Sequence, residues 1–391
     1  MKKRLVVCCD GTWNRPDSVN VTNVEKIART ISTETTSEGV QQLVLYLSGV
    51  GTSGYTADRW LGGAFGLGLF DNVRSGYRWL ALNYDPGDEI FVFGFSRGAY
   101  TARSMVGMIG KVGLLTRESL IANQLPEAVD RYRGLRPDLR SYYGSSDKRF
   151  REVNSHAGVT VQFLGVFDTV GALGVPGTFR RRHRFHDVRL CDAVLCARQA
   201  LAIDEHRMKF EPSLWEDPDE FDDPLAVQPG GPRVKQVWFE GTHSDVGGGY
   251  GETGLSDTAL EWMVGEARIR GLRFDERLLH SYVCSGSAAI RHDSLTPGYR
   301  WLNFVSRVRL RVRPFEDGPH FLGHERALAR GRAVGVQIAS SAATHYRDDC
   351  DVAQGAGASH GRDWYRPRNI AHFHEETGGF EQCEELVTAH P

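Results

Sequence analysis

The chain has 391 residues, 41% hydrophobic and 25% charged, with a formal net charge of −2 at pH 7. This is the composition of a globular chain with enough apolar residues for a large core. The small net charge gives no reason to expect a nucleic-acid partner, and no apolar run is long enough to span a bilayer. The seven cysteines contain no Cys-x-x-Cys pair, which argues against a zinc site or a disulfide framework.

The N-terminus, MKKRLVVCCDG, starts like a signal peptide, but its apolar run stops at Asp10. A cytoplasmic chain is therefore expected. Arg4 to Cys9 predicts a first strand, ending in the turn-forming loop Asp10-Gly11-Thr12-Trp13-Asn14. Asn23 to Ile31 has helical spacing through Val24, Ile27, Ala28 and Ile31. Gln42 to Leu47 predicts a second strand, ending in Ser48-Gly49-Val50-Gly51-Thr52. Leu61 to Phe70 is apolar and glycine-rich and reads as a closely packed segment. Asp71 to Tyr84 predicts a helix with Val73, Tyr77, Leu80 and Ala81 on one face.

Glu89 to Arg103, EIFVFGFSRGAYTAR, reads as strand, sharp turn and helix. Gly94-Phe95-Ser96-Arg97-Gly98 fits G-x-S-x-G, the nucleophile elbow, in which serine stands on a strained turn above the sheet. Small residues are needed on both sides because strand and helix crowd there, and Gly94, Gly98 and Ala99 supply them. A serine that only capped the helix would not need them. The order βαβαβα predicts a parallel α/β sheet of α/β-hydrolase type, with helices on its faces.

Thr116 to Ser155 is charged and helical and reads as an inserted helical cap. Val159 to Phe167 predicts the next strand, ending at Asp168. Arg180-Arg181-Arg182-His183-Arg184 reads as a solvated loop. Ala197 to His206 has helical spacing. Val234 to Glu240 predicts another strand, followed by Gly241-Thr242-His243-Ser244-Asp245. Ser256 to Ala267 predicts a helix capped by Ser256 or Asp257. Arg307 to Arg313, RVRLRVR, alternates as a strand would, and residues 347–362 read as a loop. The whole chain is expected to form one domain, with residues 270–391 as a less regular extension of it.

A serine needs a base and an orienting acid, both expected at the carboxyl ends of later strands. His243 is the histidine in such a position. Asp168 is the candidate acid, since Ser…Asp…His is the usual order in α/β-hydrolases. Asp245 is the rival, but a residue two along an extended loop points to the other side. An oxyanion hole needs two N–H donors. One is expected from Arg97 and the other from Gly11 or Thr12, with Asp10 holding that loop. The Arg97 side chain is a candidate contact for an anionic substrate. No metal and no cofactor is called for.

DGTWN at 10–14, GVGT at 49–52, GFSRGAYTAR at 94–103, FDTVGALG at 167–174, ALAIDEHR at 200–207, GTHSDVGGGY at 241–250 and LSD at 255–257 occur in this order. In these blocks the chain resembles the DUF2235 family, whose best-known members are the catalytic domains of Tle1-type type VI secretion phospholipases. The likeness runs from about Lys3 to Ala267, with a weaker echo at Tyr365–Asn369. It implies an α/β-hydrolase fold and a Ser-Asp-His site, which map onto Ser96, Asp168 and His243. It also implies an ester substrate, phospholipid or small ester, and allows export by a type VI secretion system. Peripheral membrane contact is allowed too, although the extra membrane-docking segments of the phospholipase effectors are not seen in this sequence.

Two other readings remain. Cys8-Cys9-Asp10-Gly11-Thr12 resembles the D-x-D-G-T loop of haloacid dehalogenase-like phosphatases, although Cys8 stands where the nucleophilic aspartate is required. That chemistry would need Mg²⁺, for which Asp10, Asp168 and Asp245 are the available carboxylates. The other reading is a binding module that uses the fold without catalysis.

Overall fold

Apolar runs become the centre of a parallel sheet. In the computed structural model, the described residues are 2–11, 19–35, 39–49, 64–134, 145–170, 190–216, 227–228, 231–283, 289–310, 323–328, 333–348, 367, 369–370 and 383–384. The first strand, β1 (Lys3–Cys9), is followed by helix α1 (Asn23–Thr30), β2 (Gln41–Leu47), α2 (Ala64–Asn83), β3 (Glu89–Phe95) and α3 (Arg97–Val112). Next come α4 (Arg117–Ile121), α5 (Leu125–Arg133), α6 (Ser145–Asn154), β4 (Val161–Phe167) and β5 (Ala197–Ala202). A small hairpin, β6 (Val227–Gln228) and β7 (Gly231–Pro232), precedes β8 (Val234–Phe239). Then follow α7 (His243–Gly247), α8 (Gly254–Ile269), α9 (Glu276–Tyr282), α10 (Pro297–Leu310), β9 (Val336–Ala339), α11 (Ser340–Asp348) and β10 (Cys383–Glu384).

Eight strands form one sheet in the order β10-β9-β8-β5-β4-β3-β1-β2, and every pairing is parallel. Val6, Cys8, Phe91 and Phe93 face a core shared with α1 and α8. Leu5, Val7, Ile90 and Val92 face the opposite core, filled by α2, α3 and the inserted helices. The strict alternation of sides follows from the period of two along a strand, and burial on both faces explains the unbroken apolar runs. Lys26 of α1 reaches Asp257 of α8 at 2.5 Å, a buried ion pair that ties the two helices on one face.

The segment 116–155 carries α4, α5 and α6. Leu115 bridges to Ser155, whose Oγ donates to the Val112 carbonyl at 2.8 Å. Both ends of the insert are thus rooted at the end of α3 remote from Ser96, and its helices lie against α2 and α3.

Four elements differ from expectation. Ala197–Ala202 is the central strand β5, not a helix. Its polar residues imitate an amphipathic pattern but are satisfied inside the protein: Arg198 pairs with Glu266 at 2.5 Å, and Gln199 with Gln236 at 3.0 Å. Residues 307–310 belong to α10, not to a strand. That helix starts at Pro297, a favoured first-turn residue, and its continuation overrides the short alternation. Residues 311–313 lie outside the described residues, as do 61–63, 180–184 and 349–362. Helix α2 extends back to Ala64. Helix α8 begins earlier than expected: Thr253 is its N-cap, and Ser256 and Asp257 stand within its first turn.

Candidate active site

Strand register brings the expected loops together. Cys9 of β1 pairs with Gly94 of β3, Phe95 of β3 with Phe167 of β4, and Ala202 of β5 with Phe239 of β8. Asp10, Ser96, Asp168 and the loop before His243 therefore leave the sheet along one edge. The chain order reverses at β1, with β2 on one side and β3 on the other. A crevice outside the carboxyl ends of the strands is the usual ligand position at such a point.

Ser96 sits between β3 and α3 with φ 57° and ψ −121°, a backbone conformation that non-glycine residues rarely adopt. Crowding explains the small neighbours. A Cβ on Gly98 would lie 2.2 Å from the Cys9 carbonyl oxygen, and one on Gly94 would lie 2.6 Å from the Ala99 Cα. Ser96 makes no side-chain cap bond to α3. Its Oγ lies instead 2.8 Å from His243 Nε2.

His243 is the first residue of α7. Thr242 and Asp245 close a reciprocal capping box around that turn, which fixes where the ring leaves the backbone. The ring lies between Phe95 and Phe210, with centroid distances of 4.7 Å and 5.0 Å. Its Nδ1 stands 2.5 Å from Asp168 Oδ2. An ionised carboxylate only accepts, so Nδ1 carries the proton and Nε2 is the acceptor facing Ser96. Burial pushes the His243 pKa below its ordinary 6.5, although Asp168 pulls the other way.

Asp168 ends β4 with φ 39°, a second strained non-glycine residue at the site. Its carboxylate accepts four bonds. The Ala202 N–H reaches Oδ1 at 3.1 Å, His243 reaches Oδ2, and Arg326 spans both oxygens at 2.7 Å and 3.0 Å. Burial alone would raise this carboxyl, but the Arg326 charge and the His243 bond hold it well below the usual carboxylate range. Asp245 does not reach His243. It bonds Thr242, and its Oδ1 lies 2.6 Å from His292 Nδ1. The stretch around His243 is a helical turn, not the extended loop expected, so Asp245 caps that turn.

Sequence reasoning missed several neighbours. Glu205, fully buried after β5, accepts from Arg207 and Ser294 and from the His243 backbone N–H. Burial would raise its carboxyl, but Arg207, Arg326 and His243 hold it at about 2. The Arg207 guanidinium lies 3.6 Å from the Phe210 ring and 5.1 Å from Tyr299 of α10. Glu205 and Arg207 fall within the ALAIDEHR block, but Arg326 has no local motif around it.

Asp10 organises the β1 loop. The Gly11 N–H is taken by Asp10 Oδ1 at 2.6 Å, because the short Asp-Gly turn closes on itself. Asp10 Oδ2 accepts from Thr22 at 2.7 Å and from Tyr46 at 2.6 Å. Gly11 thus has its donor engaged, and Thr12 lies outside the described residues. Arg97 opens α3, where the first N–H groups have no acceptor within the helix. Burial lowers the pKa of its guanidinium to about 10. Asp10, Asp168 and Asp245 hold separate sets of partners. Among the described residues no three acidic, histidine or cysteine side chains are gathered for a metal ion. Cys8 is buried, and its thiol pKa is pushed well above the ordinary value by burial and by the neighbouring Cys9 and Asp10.

The family model described as "T6SS, Phospholipase effector Tle1-like, catalytic domain" matches residues 3–266. The chain belongs to this family. It therefore carries a Tle1-like catalytic domain of the phospholipase kind. The chain is also 29% identical over 227 residues to an uncharacterized protein of Saccharomyces cerevisiae, covering 54% of this chain but only 32% of that protein. Among solved structures, an uncharacterized protein from Pseudomonas aeruginosa aligns over 70% of this chain and 46% of its own, at 19% identity and a TM-score of 0.41. The Tle1 effector bound to the VgrG spike of the type VI secretion system aligns over 82% of each chain, at 14% identity and a TM-score of 0.43. Within the Tle1-like match lie Ser96, Asp168 and His243. Arg326 and Tyr299 lie beyond it. No helix among the described residues is long and apolar enough to cross a membrane.

Proposed function

We propose that this chain hydrolyses carboxylic esters of phospholipids through a Ser96 acyl-enzyme. The observation that carries the reading is the hydrogen-bonded series from Ser96 through His243 to Asp168, at 2.8 Å and 2.5 Å. His243 Nε2 takes the Ser96 proton as Oγ attacks the ester carbonyl. The Arg97 N–H faces the oxyanion, since it follows the nucleophile at the start of α3. The imidazolium is stabilised by Asp168 and gives its proton to the leaving alcohol. Water then loses a proton to His243, attacks the acyl carbon and releases the fatty acid, restoring Ser96.

The test combines vesicles of a defined phospholipid with soluble p-nitrophenyl esters, with products identified by mass spectrometry. Release of fatty acid and lysophospholipid, together with fluorophosphonate labelling at Ser96, is expected. Absence of label from Ser96 overturns the serine mechanism. Turnover of soluble esters without release from vesicles removes the phospholipid part of the reading.

The pH dependence has a definite sign. His243 works as a base only when neutral, and its pKa lies below 6.5. Activity should persist into mildly acidic medium, with the acid limb of kcat/KM below that value. A limb centred above it contradicts the assignment of His243.

A lipid surface also suits the outer face of α10. Trp301 is 66% exposed and Phe304 49% exposed, while Tyr299 on the same helix lies 6.1 Å from Phe210, beside His243. Tryptophan and phenylalanine on one helix face are typical of interfacial contact. Trp301→Ala with Phe304→Ala should lower vesicle hydrolysis about 10-fold or more, since each buried aromatic contributes roughly 1.5–3 kcal/mol. Turnover of a soluble short-chain ester should change less than about 2-fold. Equal loss on both substrates argues against surface docking. Membership in an effector family further supports delivery by a type VI secretion apparatus, which co-purification with a VgrG spike would check.

A further inference from the structure

The serine reading uses three side chains, but a fourth, fully buried charge sits directly on the acid. Arg326 lies in the segment 323–328, beyond the matched residues 3–266, and its side chain is 1% exposed. Its two terminal nitrogens meet the two oxygens of Asp168 at 2.7 Å and 3.0 Å. Nη1 also donates to the Ala202 carbonyl at 2.8 Å, and Nη2 donates to the Phe210 carbonyl. One guanidinium thus joins the end of β4, the end of β5 and the turn whose Phe210 ring packs edge-on against His243.

We propose that Arg326 is a positioning residue for ester hydrolysis, holding the Asp168 carboxylate in one orientation against His243 and drawing off part of its charge. The proposal rests on the serine reading above. A planar fork matched to a carboxylate restricts rotation about the Asp168 side chain in a way that a point charge cannot. The strained φ of 39° at Asp168 gives such a clamp something to hold, because an unfavourable backbone persists only where its surroundings over-determine it.

The electrostatic consequence is specific. The charged groups facing His243 are Asp168 from β4 and Glu205 and Arg207 from the segment after β5, with Arg326 behind Asp168. On its own helix Asp245 is turned to Thr242 and His292. The elbow contributes neutral Ser96 followed by the largely buried Arg97 guanidinium, which the Arg326 variants leave unchanged. Removing the Arg326 charge leaves more of the Asp168 charge acting on the imidazolium. His243 then becomes a stronger base, and the acid limb of activity moves to higher pH.

The experiment follows the rate of fluorophosphonate labelling of Ser96 against pH in the full chain, for wild type, Arg326→Gln and Arg326→Lys. Folding of each variant is checked by circular dichroism. In Arg326→Gln the acid limb should move up by about one pH unit, and the limiting rate should fall about 10–100-fold as geometry loosens. Arg326→Lys keeps the charge without the fork, so its limb should stay near wild type while its rate falls. An unmoved limb in folded Arg326→Gln overturns the electrostatic part. A wild-type rate in Arg326→Lys overturns the positioning part, and Arg326→Met, equally uncharged, decides the electrostatic part if the Gln variant does not fold. Failure of the wild type to label at Ser96 is a different outcome and refutes the serine reading itself.

Discussion

Ser96→Ala should lower kcat/KM for ester hydrolysis by about 10⁴–10⁶-fold, because nucleophile, base and acid act as a unit and loss of one removes most of their joint effect. The substitution deletes one hydroxyl and one buried hydrogen bond, to His243 at 2.8 Å. Stability should change by no more than about 1.5 kcal/mol. Chemical denaturation and turnover on the same preparation separate the two effects. Ser96→Gly makes a useful companion. Glycine adopts a φ of 57° without strain, so this variant should be inactive yet more stable than Ser96→Ala by roughly 1 kcal/mol. Near-normal hydrolysis in Ser96→Ala would remove the serine from the mechanism, whatever the geometry around it.

The elbow is legible in the amino-acid sequence because its constraint is local. Gly98 has the Cys9 carbonyl against it and Gly94 has Ala99, so small residues must appear at fixed spacing around Ser96. His243 and Asp168 are legible for a topological reason: parallel strands deliver their following loops to one edge. The identity of β5 is not legible, because Arg198 and Gln199 find their partners only in α8 and β8. Burial of these polar groups depends on contacts far along the chain, and local pattern cannot report it. Arg326 is the extreme case. It stands 158 positions from Asp168, within no motif, and its importance exists only once the segment 323–328 is packed. The engagement of the Gly11 N–H is not legible for a smaller reason. A short Asp-Gly turn can bond itself, and here Asp10 does so at 2.6 Å.

Asp168→Asn tests the acid and the buried ion pair together. The amide cannot accept from both His243 and Arg326 as the carboxylate does, since one of its two ends is now a donor. His243 loses its orienting partner, and turnover should fall about 10⁴-fold. Arg326 loses its bidentate carboxylate and keeps only the Glu205 charge and two carbonyls, which should cost up to about 3–5 kcal/mol of stability. The pH dependence of that loss identifies its origin. The Asp168 carboxyl lies well below its ordinary value in the folded protein, so its contribution is present above about pH 3.9, the ordinary aspartate value, and is lost as pH falls through the folded value. The stability gap between wild type and Asp168→Asn should therefore hold or widen from neutral pH down to about pH 5, since Asp168 also favours the charged form of His243, and shrink only well below it. Asp245→Asn is the control, because Asp245 caps the α7 turn and bonds His292 without touching His243. Its effect on turnover should be much the smaller of the two. Greater damage from Asp245→Asn, with both proteins folded, would transfer the role of the acid to Asp245 and leave the Asp168–Arg326 pair as a structural feature alone.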